Sequence, residues 1–152
     1  MKRSRQLAAS PGEVWRVLSD PYHLPRWWPR VTRVENVQGE AGRKRTRWTT
    51  VYETGKGRGV RADFRCVSAS QPSHYVWEQD LENTPFERFM RSSRTEFQLS
   101  AEADGTLLSI ETIQRLKGVS RFGSPMARSA LRRALDEALE GIADLFAASS
   151  GP

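Results

Sequence analysis

Between residues 31 and 116 apolar and polar positions mostly alternate, and after residue 124 the apolar positions recur at steps of three and four. Period two sends successive side chains to opposite faces of a strand, whereas three-and-four spacing marks one face of an α-helix. The helical stretch is the sharper signal. Ser124-Pro125 offers an N-cap acceptor followed by proline at the first helical position. Leu131, Leu135, Ala138, Leu139, Ile142, Leu145 and Phe146 then form one apolar stripe that needs a partner surface. The spacing predicts a helix over 124–146, about 30 Å long.

The alternating region supplies that partner. It divides into candidate strands 31–37, 45–53, 60–69, 74–81, 86–101 and 107–116. The breaks fall at Gly39-Glu40-Ala41-Gly42, the Gly55-Lys56-Gly57-Arg58-Gly59 tip, Gln71-Pro72-Ser73, Asn83-Thr84-Pro85 and Ala103-Asp104-Gly105. A further short strand over 3–8 makes seven, and the lack of helical spacers argues for an antiparallel meander. Between the first strand and the meander, Ser10-Pro11-Gly12-Glu13 reads as a capping box opening a two-turn helix. Asp20-Pro21 repeats the start signal, and Pro29 ends that second helical segment. Two short helices packed by Trp15, Leu18, Leu24 and one of Trp27 and Trp28 are expected. The fold class is therefore α+β: a curved seven-stranded antiparallel sheet wrapped around a long C-terminal helix, with two short helices after the first strand.

The alternation also assigns faces. Val60, Ala62, Phe64 and Cys66 share one face, as do Tyr75, Trp77, Gln79 and Leu81. Phe89, Arg91, Ser93, Thr95, Phe97 and Leu99 follow, then Leu108, Ile110, Thr112, Gln114 and Leu116. Trp48, Thr50 and Tyr52 complete the inward set, although Thr49 and Val51 leave that register open. Polar groups thus sit among aromatic ones. Two readings stay open: the aromatic residues fill an ordinary core, or they wall a cavity oriented by a few polar groups.

Composition narrows the classes. At 152 residues the chain suits a single domain, 1–152, with an ordered core about 3–147. The net charge of +6 invites a nucleic-acid reading, but the basic residues are dispersed and no helix-turn-helix, zinc-ligand or RNA-binding signature accompanies them. A solvated surface and no nucleic-acid partner are expected. No apolar run approaches the ~18 residues of a membrane span, and no apolar stretch follows the basic Met1-Lys2-Arg3-Ser4-Arg5 to form a signal peptide. Cys66 is the only cysteine, which excludes an internal disulfide and points to the cytoplasm. No His, Cys or carboxylate spacing suggests a metal, and no cofactor is expected. His23 and His74 read as surface residues.

The segments Ser10-Pro11-Gly12-Glu13-Val14-Trp15, Ser19-Asp20-Pro21 and Leu24-Pro25-Arg26-Trp27-Trp28-Pro29, with the glycine-flanked strands and the helix over 124–146, carry a family likeness. The chain resembles the START/birch-pollen-allergen-like (SRPBCC) superfamily, with its helix-grip fold, and within it the polyketide cyclase/dehydrase-like branch. The resemblance implies a deep cavity between sheet and long helix that takes lipids, sterols, polyketides or other apolar ligands. It also implies, in some members, cyclisation, aromatisation or dehydration. In cyclase-like members a pocket arginine and tyrosine orient and polarise a polyketide carbonyl, and Arg91 and Tyr52 (or Tyr75) would be the equivalents. An inward Arg91 needs a carboxylate or an anionic oxygen; a one-residue bulge would turn it to solvent instead.

The candidate lining comprises Trp48, Tyr52, Phe64, Trp77, Phe89 and Phe97, with Thr95 and Thr112 among them, facing Met126, Ala130 and Leu131 of the helix. The Gly55–Gly59 tip could gate the cavity, Arg121 and Arg128 could form a positive rim, and Gly141 suggests close approach to the sheet or a partner. The first expectation is an intracellular monomer or homodimer that binds a small hydrophobic or aromatic ligand without integral membrane association. The alternatives are a polyketide cyclase, aromatase or dehydrase using the same cavity, and an interaction module docking an acidic partner.

Overall fold

The computed structural model describes residues 1–53, 57, 59–118 and 125–149. Strand β1 (Lys2–Leu7) leads into α1 (Pro11–Leu18), a 3-10 turn (Pro21–His23) and α2 (Leu24–Trp27). Strands β2 (Val31–Gln38), β3 (Arg47–Glu53), β4 (Gly59–Ser70) and β5 (His74–Asp80) follow. A second 3-10 turn (Pro85–Arg88), β6 (Met90–Glu102), β7 (Gly105–Leu116) and α3 (Pro125–Ser149) complete the order.

The strands form one antiparallel sheet in the order β1-β7-β6-β5-β4-β3-β2. Strands β2 to β7 are the expected meander. The helical connection after β1 carries the chain across the sheet, so β1 pairs with β7 and not with β2. This arrangement is the helix-grip fold. Among the described residues no helix is long and apolar enough to cross a membrane.

Both early helices start as their sequences dictate. Ser10 Oγ accepts from the Glu13 N–H at 3.3 Å and donates to the Glu13 carboxylate at 3.1 Å. Asp20 Oδ1 accepts from the Tyr22 N–H at 3.0 Å. Val14, Trp15, Leu18, Leu24 and Trp27 are buried beneath these turns, while Trp28 is half-buried. On α3 the apolar stripe buries Leu135, Ala138, Leu139, Ile142 and Phe146, with Leu131 and Leu145 packed partly against the same core. The helix rests chiefly on β1 and α2, and Arg3 ties β1 to it through two bonds to Asp136, at 2.7 and 3.2 Å. Gly141 lies under α2: a Cβ there would stand 2.4 Å from the Trp27 carbonyl oxygen, so the close approach is to α2. Residues 125–130 are exposed.

Two boundaries differ from those the alternation predicts. Thr84 caps the turn Pro85–Arg88 by accepting from the Phe86 N–H at 3.3 Å, so β6 begins at Met90 and not at Phe86. The β6–β7 register then shifts between Met90 and Ser92, a bulge at Arg91. The expected cap at Ser124, the rim residue Arg121 and residues 54–56 and 58 of the glycine-rich tip lie outside the described residues.

Candidate functional site

Pairing across the sheet defines the concave face. Trp48 opposes Phe64, which opposes Gln79; Cys66 opposes Trp77, which opposes Thr95 and then Thr112; Tyr75 opposes Phe97. These rings pack on one another. Trp48 stacks on Phe64 with centroids 5.9 Å apart, and Trp77 meets Trp48 at 5.6 Å and Phe97 at 4.7 Å, both edge-on. From the other side Trp28 reaches Trp77 at 5.3 Å and Trp27 reaches Phe97 at 6.1 Å.

Polar groups on this face divide into satisfied and unsatisfied. The Thr95 and Thr112 hydroxyls bond each other at 3.1 Å. Trp48 Nε1, Thr50 Oγ1 and Gln79 Nε2, on neighbouring rows of β3 and β5, are buried without a hydrogen-bond partner, as is Trp27 Nε1 on α2. A buried donor left unmade costs about 1–3 kcal/mol, so such a cluster demands a reason. Burial pushes the Tyr52 and Tyr75 hydroxyls above the ordinary phenol range, leaving both protonated at any physiological pH. Burial also raises the Cys66 thiol, which donates to the Ser68 carbonyl at 3.5 Å and is no activated nucleophile.

At the end of the sheet nearest the start of α3, Tyr52 borders a niche of about 230 Å³ with Trp28, Arg30, Ala130 and Arg133. Of the sequence-predicted residues, Trp48, Phe64, Trp77, Phe97, Thr95 and Thr112 come together in the aromatic face, and Tyr52 meets Ala130 in the niche. Leu131 packs partly against the core.

Three residues lie elsewhere. The bulge turns Arg91 outward, where it is exposed and borders a cleft of about 580 Å³ with the convex-face residues Arg47, Asp63 and Arg65. Phe89 precedes β6, is 47% exposed and borders Val51 and Arg61 on that convex side. Met126 is 81% exposed on the outlying first turn of α3. Sequence reasoning gave no place in the site to Trp28, Arg30 or Arg133; the Trp27-Trp28-Pro29-Arg30 segment was visible, but not that α3 would bring Arg133 beside it.

The positive charge is largely answered on the convex face. Arg65 bonds Asp80 and Glu78, Arg47 and Arg94 approach the same two acids at 3.5 and 3.9 Å, and Arg33 and Arg61 share Glu35 at 2.6 and 3.1 Å. The Arg33 bond, aided by Arg61, holds the Glu35 carboxyl below its usual range. The histidines sit in exposed or half-exposed pairs: His74 with Glu96 at 2.6 Å, and His23 with Asp20 at 3.7 Å. The His74 bond lowers the Glu96 pKa against the opposing effect of burial. Among the described residues no three His, Cys, Asp or Glu side chains are grouped to hold a metal.

A curved sheet gripping a C-terminal helix, with an aromatic concave face, defines the class of helix-grip proteins. Over residues 1–147 the chain matches the family model described as polyketide cyclase / dehydrase and lipid transport, and it belongs to that family. No curated protein matches it by sequence. Among solved structures it is similar to the di-domain ARO/CYC StfQ from the steffimycin biosynthetic pathway (TM-score 0.77, 12% identity, 100% of this chain and 51% of that one). It is also similar to the di-domain ARO/CYC BexL from the BE-7585A biosynthetic pathway (0.75, 17%, 100% and 50%). TTHA0849 from Thermus thermophilus is matched over nearly its full length (0.76, 18%, 99% and 99%). The chain thus spans about half of each di-domain protein, and at these identities the likeness is one of fold.

Proposed function

We propose that the protein binds a small hydrophobic or aromatic ligand between the concave face and the N-terminal half of α3. The observation that carries this reading is the cluster of buried, unpartnered polar atoms, Trp48 Nε1, Thr50 Oγ1 and Gln79 Nε2, set among aromatic rings. A core selected only for packing would place apolar atoms at those positions. A ligand that is apolar over most of its surface and carries a few oxygens would satisfy them. Trp48, Phe64, Trp77 and Phe97 supply the wall, Thr95 and Thr112 its polar strip, and Ala130 and Leu131 the helix side. Residues 125–130, the start of α3, are exposed, and in this reading the ligand enters beside them. The lone, buried Cys66 suits a cytoplasmic setting.

A second reading, a polyketide cyclase, aromatase or dehydrase acting at the same place, is favoured by Tyr52. Its protonated hydroxyl beside the niche could donate to a carbonyl oxygen as negative charge develops there. Arg91, the other residue the family likeness suggests, faces away from that oxygen, so catalysis in this reading leans on Tyr52.

Native mass spectrometry of the purified protein, followed by titration with an environment-sensitive apolar fluorophore, tests the binding reading. A co-purifying small molecule or saturable uptake near one per chain supports it, and the same spectrum separates monomer from homodimer. Absence of both overturns it.

A further inference from the structure

Two arginines from separate elements border the niche beside Tyr52: Arg30, in the link between α2 and β2, and Arg133 on α3. Resting on the binding reading above, we propose that this niche clamps a carboxylate at one end of the ligand, so that the natural ligand is an aromatic or aliphatic carboxylic acid. Four observations converge on this.

First, the two guanidiniums have no carboxylate partner among the described residues. Arg33, Arg47, Arg61, Arg65 and Arg94 on the convex face all have carboxylate partners. Arg30 and Arg133 pair with no carboxylate among the described residues, even though Glu137 stands one helical turn from Arg133 and borders the same niche. Second, Arg30 is fixed by its backbone. It adopts a left-handed φ of 64°, uncommon for a residue with a side chain, and its carbonyl accepts from the Glu53 N–H at 2.9 Å, which pins the link to the end of β3. Third, the surroundings suit an organic acid: Trp28 and Tyr52 give ring surface, and Ala130 and Ala134, one turn apart on α3, keep that side of the niche shallow.

Fourth, size and charge select the group. A volume of about 230 Å³ is below the range that encloses a whole drug-sized ligand, so the niche holds one end while the remainder extends past Trp28, whose ring meets Trp77 of the aromatic face. Guanidiniums match a carboxylate through paired N–H donors. Two positive groups against the single charge of Glu137 leave one net positive charge, which a monoanionic carboxylate balances.

The test is a fluorescence titration with 2-naphthoate and its neutral analogue 2-naphthalenemethanol, on the full chain and on Arg30→Gln, Arg133→Gln and Glu137→Gln. All three side chains are exposed, so the variants are expected to fold, with thermal midpoints as the check. The acid should bind about tenfold tighter than the alcohol, and each arginine variant should lose most of that margin while leaving the alcohol unchanged. Glu137→Gln should tighten the acid alone, and added salt should weaken the acid alone. Equal binding of acid and alcohol, or arginine variants that bind the acid as the parent does, overturns the clamp and leaves the container standing. Failure of the alcohol as well as the acid overturns both.

Discussion

At Gly141 helix propensity and packing oppose each other, and magnitudes decide between them. Alanine would stabilise an isolated helix by about 1 kcal/mol over glycine. Its Cβ, however, would lie 2.4 Å from the Trp27 carbonyl oxygen and 3.1 Å from the Trp27 Cα, so α2 or α3 would have to move. Overpacking of this kind costs about 1–3 kcal/mol before the backbone shift, and a carbonyl cannot swing aside as a side-chain tip can. Gly141→Ala is therefore expected to destabilise by about 2 kcal/mol, read from the urea midpoint at unchanged m-value. A variant as stable as the parent would show that α2 yields freely. The sequence marked this residue as out of place in a helix, but not its neighbour, because a contact between residues 27 and 141 leaves no trace in local periodicity. The niche was hidden for the same reason: Arg30 and Arg133 are more than a hundred positions apart. The inward places of Phe64, Trp77 and Phe97 were legible, since they obey simple alternation, whereas Thr49 and Val51 left the register at Trp48 open.

At the scale of elements, caps were the most readable signals and strand parity the least. Ser10-Pro11 and Asp20-Pro21 each start a helical turn as expected. Thr84-Pro85 has the same form and also starts one, so the signal that β6 could not begin at Phe86 was present in the sequence. The bulge after Met90 was not, because alternation on either side of an inserted residue looks regular and only the partner strand reveals the slip. That slip costs Arg91 its inward place. Exposed on the convex side, it is expected to tolerate Arg91→Ala with a stability change within about 0.5 kcal/mol and no change in naphthoate or fluorophore affinity. Denaturation and titration of the one variant check both, and a lost affinity would mean that β6 adopts the unbulged register when ligand is bound.

At the scale of the molecule, the N-terminal strand joins the two halves of the grip. β1 closes the sheet against β7, where the Met1 amino group donates to the Thr112 carbonyl at 3.0 Å and the Met1 carbonyl accepts from the Thr112 N–H at 2.9 Å. Its far end buries Leu7, and α3 rests on β1 and α2. The Arg3–Asp136 pair is the visible tie between strand and helix, yet both side chains are more than 40% exposed, and such pairs contribute at most about 1 kcal/mol. The ladder to β7 and the burial under α3 outweigh it. Arg3→Ala should accordingly lower stability by less than about 1 kcal/mol and leave the near-ultraviolet circular dichroism unchanged. Removing residues 1–7 should do far more: it bares the β7 edge and takes away one of the two supports of α3, so the aromatic face loses its cover. The expected product keeps much of its far-ultraviolet signal but loses the near-ultraviolet bands of its packed tryptophans and its cooperative thermal transition. If the shortened chain instead melts cooperatively with its tryptophan bands intact, α2 alone suffices to seat the helix, and β1 serves only to close the sheet edge.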